Sequence, residues 1–239
     1  MQPYFFPYLG HFALIAHTDL WIVFDITQYT PKTYMTRNEV LKASGGRQLF
    51  MVELANRSTH IKTCEAQLLH PEKTKTRVLG SLSHYRKRAH YYHQVLDLVH
   101  DTFARLAESG TPLSLVELNR LGLAAVCNYL GLPFKHRVAS TLHLQLPENL
   151  GPGDWAPHIS AALGATHYLN PIGGKHLFDP AQFHTLDVTP GFMHYTPLHY
   201  ATPEFEFEPN LSVLDVLMWN APEVVKNHLL TDCQIEWER

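Results

Sequence analysis

Residues 10–25 read GHFALIAHTDLWIVFD, and the fold class turns on them. Gly10–Ala16 has helical spacing, with Phe12, Ile15 and Ala16 on one face. Leu20–Phe24 (LWIVF) is short, apolar and ends at Asp25, which marks a buried strand. A helix feeding a buried strand is an α/β opening. Ahead of it stands MQPYFFPYLG, with two prolines and a glycine, which is no signal peptide.

Downstream, QLFMVEL between Arg47 and Leu54 reads as a strand, with Gly45-Gly46 as a tight turn before it and Ile61–Leu68 as its pairing partner. The middle changes character. From about Thr74 to Leu106, and again from about Leu113 to Leu130, apolar residues recur at helical spacing, and Gly131 with Pro133 ends the run. The last third returns to α/β. Phe134–Ala139 and Thr166–Leu169 suit strands, and Trp155–Leu163 suits a helix closed by Gly164. A further helix begins at Leu211, with Asn210 as its N-cap. The expectation is one α/β domain over 1–239, with a central, largely parallel, Rossmann-like sheet and a helical insertion over about 74–131.

Composition excludes several functions. The 239 residues are 45% hydrophobic and 17% charged, an ordinary globular balance, and the formal net charge is −3. No basic field exists to hold a nucleic-acid backbone or an anionic membrane, and no apolar run approaches the ~20 residues that span a bilayer. Three scattered cysteines form neither a disulfide framework nor a zinc ribbon, which points to a reducing cytoplasm. The 17 histidines invite a metal reading, above all His90, His93 and His100. Arg86, Lys87 and Arg88 beside them repel a metal ion, so that face is expected to be solvated, and no metal site is assigned.

The chemistry is expected at the two ends of the opening unit. Ligands of open α/β sheets sit beyond the carboxyl ends of strands, where Asp25 follows LWIVF. Gln28, Tyr29, Arg37 and Asn38 come soon after. Gly10-His11 opens a helix, half of the H-x-G-H pattern by which nucleotidyl-transferring enzymes meet a phosphate, with Tyr8 in place of the first histidine. Later, Pro171-Ile172-Gly173-Gly174-Lys175 offers paired glycines for close approach to an anion and a lysine to meet it, although Gly-Gly is also ordinary turn chemistry.

These stretches together resemble the WbqC-like family of bacterial proteins: QPYFFPYLG over Gln2–Gly10, Asp25 with Gln28-Tyr29, Arg37-Asn38, Ser140-Thr141, Tyr168 before the glycine loop, and LSVLDVL over Leu211–Leu217. The resemblance covers essentially the whole chain. It implies a role connected with O-antigen or other surface-glycan assembly, and a transferase of acyl or aminoacyl groups. The chain departs from the family's usual residues at His11 (usually Tyr), Tyr34 (usually Trp) and Ile26 (usually polar).

The leading expectation is a cytoplasmic transferase acting on an activated or nucleotide-linked small molecule. His11 is the general acid-base candidate and Asp25 the base or hydroxyl ligand. Arg37 and Lys175 would bind anionic groups; Gln2, Tyr8, Gln28, Tyr29 and Asn38 would orient the substrate, beside Gly173 and Gly174. No cofactor is indicated. The rivals are a non-catalytic module that binds a ligand or partner, and a histidine-rich metal enzyme. His11 and Asp25 should share one cavity, with Asp25 raising the His11 pKa and activity changing between about pH 5.5 and 7.5. Asp215, polar within an apolar stripe, should be structural, accepting bonds from backbone N–H groups or from an Arg or His of the N-terminal segment.

Overall fold

The structure, a computed structural model, describes residues 1–56, 58–110 and 112–238; Thr111, inside the expected helical insertion, lies outside them. The opening unit forms as its spacing predicts: α1 (Leu9–Ala16) precedes β1 (Trp21–Val23). However, α1 is buried nearly all round rather than on one face, and its buried set includes His11. At its other end, the chain around Met1 lies along β1. The Met1 amine donates to Ile22 O at 2.8 Å, and Phe24 N–H donates to Met1 O at 2.9 Å.

Next come β2 (Arg37–Leu41) and β3 (Arg47–Met51), an antiparallel hairpin pairing Arg37 with Met51 and Leu41 with Arg47. Its turn uses Gly45 and Gly46 at φ +92° and +75°, a backbone that favours glycine. β2 takes the place beside β3 expected for Ile61–Leu68. That segment instead winds a 3-10 turn over Thr63–Glu65. The Glu65 carboxylate accepts Lys62 N–H at 2.6 Å, and Cys64 N–H donates to Asp25 O at 2.9 Å. Only single bridges remain, such as Leu54 with Leu68.

The middle is helical: α2 (Pro71–Leu82), α3 (Tyr92–Glu108) and α4 (Leu115–Leu130). α3 buries Val95, Leu98, Val99, Thr102, Phe103 and Leu106, a three-four stripe that packs on α4 and α2. α4 starts on Ser114, whose hydroxyl accepts Val116 N–H at 3.1 Å, and stops at Gly131 in the left-handed region.

Then follow β4 (His136–Val138), α5 (Trp155–Ala162), β5 (His167–Pro171), α6 (Pro180–His184), β6 (Thr189–Tyr195), α7 (Val213–Trp219), α8 (Pro222–Thr231) and β7 (Cys233–Trp237). The cap of α7 is Ser212, which accepts Leu214 N–H at 3.3 Å; Asn210, the expected cap, lies two residues before it at φ +58°.

The class is mixed α/β, but the single central sheet is corrected. Among the described residues the strands make three small sheets: the parallel pair β1–β4, the hairpin β2–β3, and β5–β6–β7, parallel in its first pairing and antiparallel in its second. The reason lies at the edges: the backbone of Met1 bonds Ile22 O and Phe24 N–H on the side of β1 away from β4, and the chain leaves β4 after three residues through a 3-10 turn at Ala139–Thr141. No helix among the described residues is long and apolar enough to cross a membrane.

Candidate functional site

The N-terminal loop is built by side chains from remote parts of the chain. Phe5 and Phe6 are each 1% exposed, and Phe6 takes φ +41°, a conformation that a bulky residue holds only under constraint. The constraint is a set of amide and hydroxyl clamps. Asn38 Nδ2 donates to Phe5 O at 3.1 Å and Phe6 O at 2.8 Å; Ser212 Oγ donates to Phe6 O at 2.7 Å. Asn119 Nδ2, wholly buried, donates to Pro3 O at 2.8 Å and to Met35 O at 2.9 Å. Backbone bonds add Phe5 N–H to Tyr34 O and Val213 N–H to Pro7 O, both at 2.8 Å. The clamps present Tyr4 and Tyr8, half-buried, above α1.

β1 and β4 run parallel, in register from Trp21–His136 to Val23–Val138, so their carboxyl ends lie side by side. Asp25 and Ser140 leave those ends as a pair. The Asp25 carboxylate, 1% exposed, accepts Ser140 N–H on Oδ1 at 2.9 Å and Ser140 Oγ–H on Oδ2 at 2.6 Å. Ser140 itself is exposed. A buried carboxyl group therefore holds an exposed serine through two bonds, one to its backbone N–H and a shorter one to its hydroxyl. Burial, and after it the Asp25 carboxylate, pushes the nearby Cys64 thiol up, which keeps it protonated at neutral pH.

Comparison with known proteins can now be set beside this geometry. The model of the WbqC-like protein family matches residues 2–227. The chain belongs to the WbqC-like family. An uncharacterized protein of Mycobacterium tuberculosis, Rv1507c, is 28% identical over 219 residues, covering 91% of this chain and 90% of that protein. No solved structure matches.

In this family member the remaining expected residues have varied placements. His11 is 1% exposed, packed on Tyr4 at 5.3 Å and Trp21 at 4.9 Å between ring centroids, and its Nε2 has no partner among the described residues. Burial pushes its imidazole down to about 3. The upward shift and the titration between pH 5.5 and 7.5 are thus corrected: His11 is neutral throughout that range. Asn38 spends its amide on the loop and its Oδ1 on Glu39 N–H. Tyr29 is buried in the core. Gln28 is exposed and donates to Thr59 O. Gln2 is half-buried beside Pro3, and Arg37 pairs with no acidic side chain among the described residues.

The glycine segment is elsewhere. Gly173 and Gly174 lie in a 3-10 turn over Ile172–Leu177; a Cβ on Gly174 would strike Asn170, so close side-chain packing is what requires that glycine. Lys175 bridges Glu236 at 2.8 Å and also Glu238, which leaves its charge committed within the fold. Asp215 accepts Leu41 N–H at 3.2 Å, Tyr200 Oη–H at 2.6 Å and Tyr85 Oη–H. A backbone donor was expected, whereas two tyrosines stand where an Arg or His was.

Neither of two surface hollows is lined by Asp25 or His11. One, of about 20 Å³, lies between Leu9, Tyr195, Tyr200 and Phe207 and has room for about one water. The other is an open dimple at Leu69–Lys73. Asp25 and Ser140 together make a polar shelf, the carboxylate buried and the serine at the surface. Among the described residues no three His, Cys, Asp or Glu side chains are grouped to hold a metal ion. The sequence singles out Ser140 only within the Ser140-Thr141 pair of the family resemblance, with nothing to connect it to Asp25. The parallel pairing of β1 with β4 is what brings Ser140 to Asp25, and β4, His136-Arg137-Val138, carries no apolar run to announce it.

Proposed function

We propose that the protein is a transferase that moves an acyl, aminoacyl or related group onto or from an activated or nucleotide-linked small molecule, on the shelf formed by Asp25 and Ser140. The observation that carries this reading is the two-bond grip of the buried Asp25 carboxylate on the exposed Ser140. Because Ser140 donates its proton to Asp25, the lone pairs of its oxygen are free to accept one. An amine or hydroxyl of the acceptor can give its proton to Ser140 Oγ as the Ser140 proton passes to Asp25, which leaves the acceptor nucleophilic and the two side chains neutral. Arg37 supplies a positive charge and Gln2 an amide for orientation. Neutral His11 can hold or polarise a group but not gain charge near neutral pH.

Family membership supports a shared fold; the reaction is inferred from the shelf. The test is to incubate the protein with amino-sugar nucleotides and acyl or aminoacyl donors and follow product mass. Asp25→Asn and Ser140→Ala should each lower turnover roughly 10²-fold or more. Ligand binding without turnover, unaffected by either change, would establish the rival reading of a binding module, which the polar shelf also suits.

A further inference from the structure

Where the end of α1 meets the start of β7, the fold brings a thiol and an imidazole together outside the Asp25–Ser140 shelf. His17 closes α1 and Cys233 opens β7. Antiparallel pairing sets Cys233 opposite Tyr195 of β6, and Cys233 Sγ lies 3.3 Å from His17 Nε2. The other ring nitrogen decides the tautomer. His17 Nδ1 is 2.9 Å from Ala13 O; a carbonyl only accepts, so Nδ1 carries the hydrogen and Nε2 turns its lone pair to the thiol. Both residues are half-buried. The other two cysteines lack this neighbour. Cys127 is buried within α4, and half-buried Cys64 lies beside Asp25, Glu65 and Lys62 instead.

We propose that Cys233 and His17 form a nucleophile–base pair, a reactive thiol site that exchanges with small disulfides. A weak nucleophile is activated by a base within hydrogen-bond reach, itself oriented by a third group; here the three are Cys233, His17 and Ala13 O. Burial, and after it Asp232, pushes the thiol up, so the proton stays on sulfur at neutral pH until a base takes it. In the exchange, Sγ attacks one sulfur of the disulfide as its proton passes to His17 Nε2. The S–S bond of the disulfide breaks and a new S–S bond forms on Cys233. Cys233 is thereby oxidised; the departing half of the disulfide is reduced, takes the proton from His17 and leaves as a thiol. Asp232 is committed elsewhere, accepting Thr231 Oγ1–H at 2.7 Å and facing His228 Nδ1 at 3.3 Å, so His17 is the base. The pair is independent of the transferase reading, since His17 precedes β1 and Asp25 follows its other end.

The experiment exposes the reduced full chain to 2-hydroxyethyl disulfide at about pH 7, with mixed disulfide at each cysteine followed by mass spectrometry of the digested protein. Cys233 should react at least about tenfold faster than Cys64, and faster than N-acetylcysteine in the same buffer. Partial burial alone only slows a thiol, so a rate above that of the free amino acid requires the base. His17→Gln keeps an amide at the end of α1 but supplies no base. It should lower the Cys233 rate about tenfold or more and leave the Cys64 rate as it was. Cys64 thus reports on the fold of the variant, and the comparison with N-acetylcysteine, made on the native chain, decides the matter whether or not the variant folds. A native Cys233 no faster than N-acetylcysteine overturns the pair, as does a folded His17→Gln protein in which Cys233 reacts at the native rate.

Discussion

His11 shows how burial decides the chemistry of a single side chain. Its folded pKa of about 3 lies below the ordinary value of 6.5, so between those values the unfolded chain binds the proton that the folded chain refuses. Stability from this residue is complete above about pH 6.5 and declines as pH falls toward 3. Urea unfolding at pH 7 and pH 5 should show the native protein losing on the order of 1–2 kcal/mol more than His11→Phe; parallel losses would mean that the imidazole is solvated. Asp25 makes the complementary case. Ser140→Ala removes the hydroxyl donor from a buried carboxylate and should cost about 1–3 kcal/mol in thermal or urea unfolding, besides its effect on turnover. Asp25 itself was legible, because the run LWIVF fixes the strand end. Its partner was not, since the bond joins residues 115 apart through a strand pairing that no local pattern encodes. The burial of His11 was hidden for a related reason: a polar letter in a short amphipathic reading is assigned to the wet face, and α1 has none.

At the scale of elements, asparagines that look like ligand-binding groups are the fasteners of the N-terminal loop. Asn119→Ala leaves Pro3 O and Met35 O without their donor in the interior, and should cost about 2–4 kcal/mol by urea titration, two buried bonds being lost together. Asn119→Asp should be no milder, since a carboxylate offers no N–H. An effect below 0.5 kcal/mol would show that water replaces the amide. Asn38, expected to orient the substrate, holds the carbonyls of Phe5 and Phe6. Helices were readable because α3 and α4 carry long periodic stripes with a serine cap and a glycine stop. β2 was missed because Arg37–Leu41 alternates only weakly, with Asn38 turned inward among apolar neighbours. The central sheet was overestimated by assuming that each short apolar run joins its neighbours. On β1 the backbone of Met1 takes the edge where a further strand would pair.

Across the whole molecule, Asp215 ties together four separate parts: α7, the turn carrying Tyr85 after α2, the segment carrying Tyr200 before α7, and β2 through Leu41. Burial raises its pKa and the three donors oppose that rise, so its share of stability is largest in acid and declines as pH rises through the raised value, opposite in sign to His11. Tyr200→Phe should lower stability by about 1.5–3 kcal/mol, with turnover per folded molecule retained; folded but inactive Tyr200→Phe or Asp215→Asn protein would place this network in the chemistry. The loop clamps described above have a consequence in time. Asn38, Asn119 and Ser212 reach the loop from 32, 116 and 206 residues away, so none can engage until the chain between has been brought back, and long-range closures of this kind are slow to form. In pulsed hydrogen exchange during refolding, the amides of Phe5 and Val213 should gain protection after those of α4. The N-terminal loop would then be fastened last, and a chain still being synthesised would carry its helices well before that loop is locked in place.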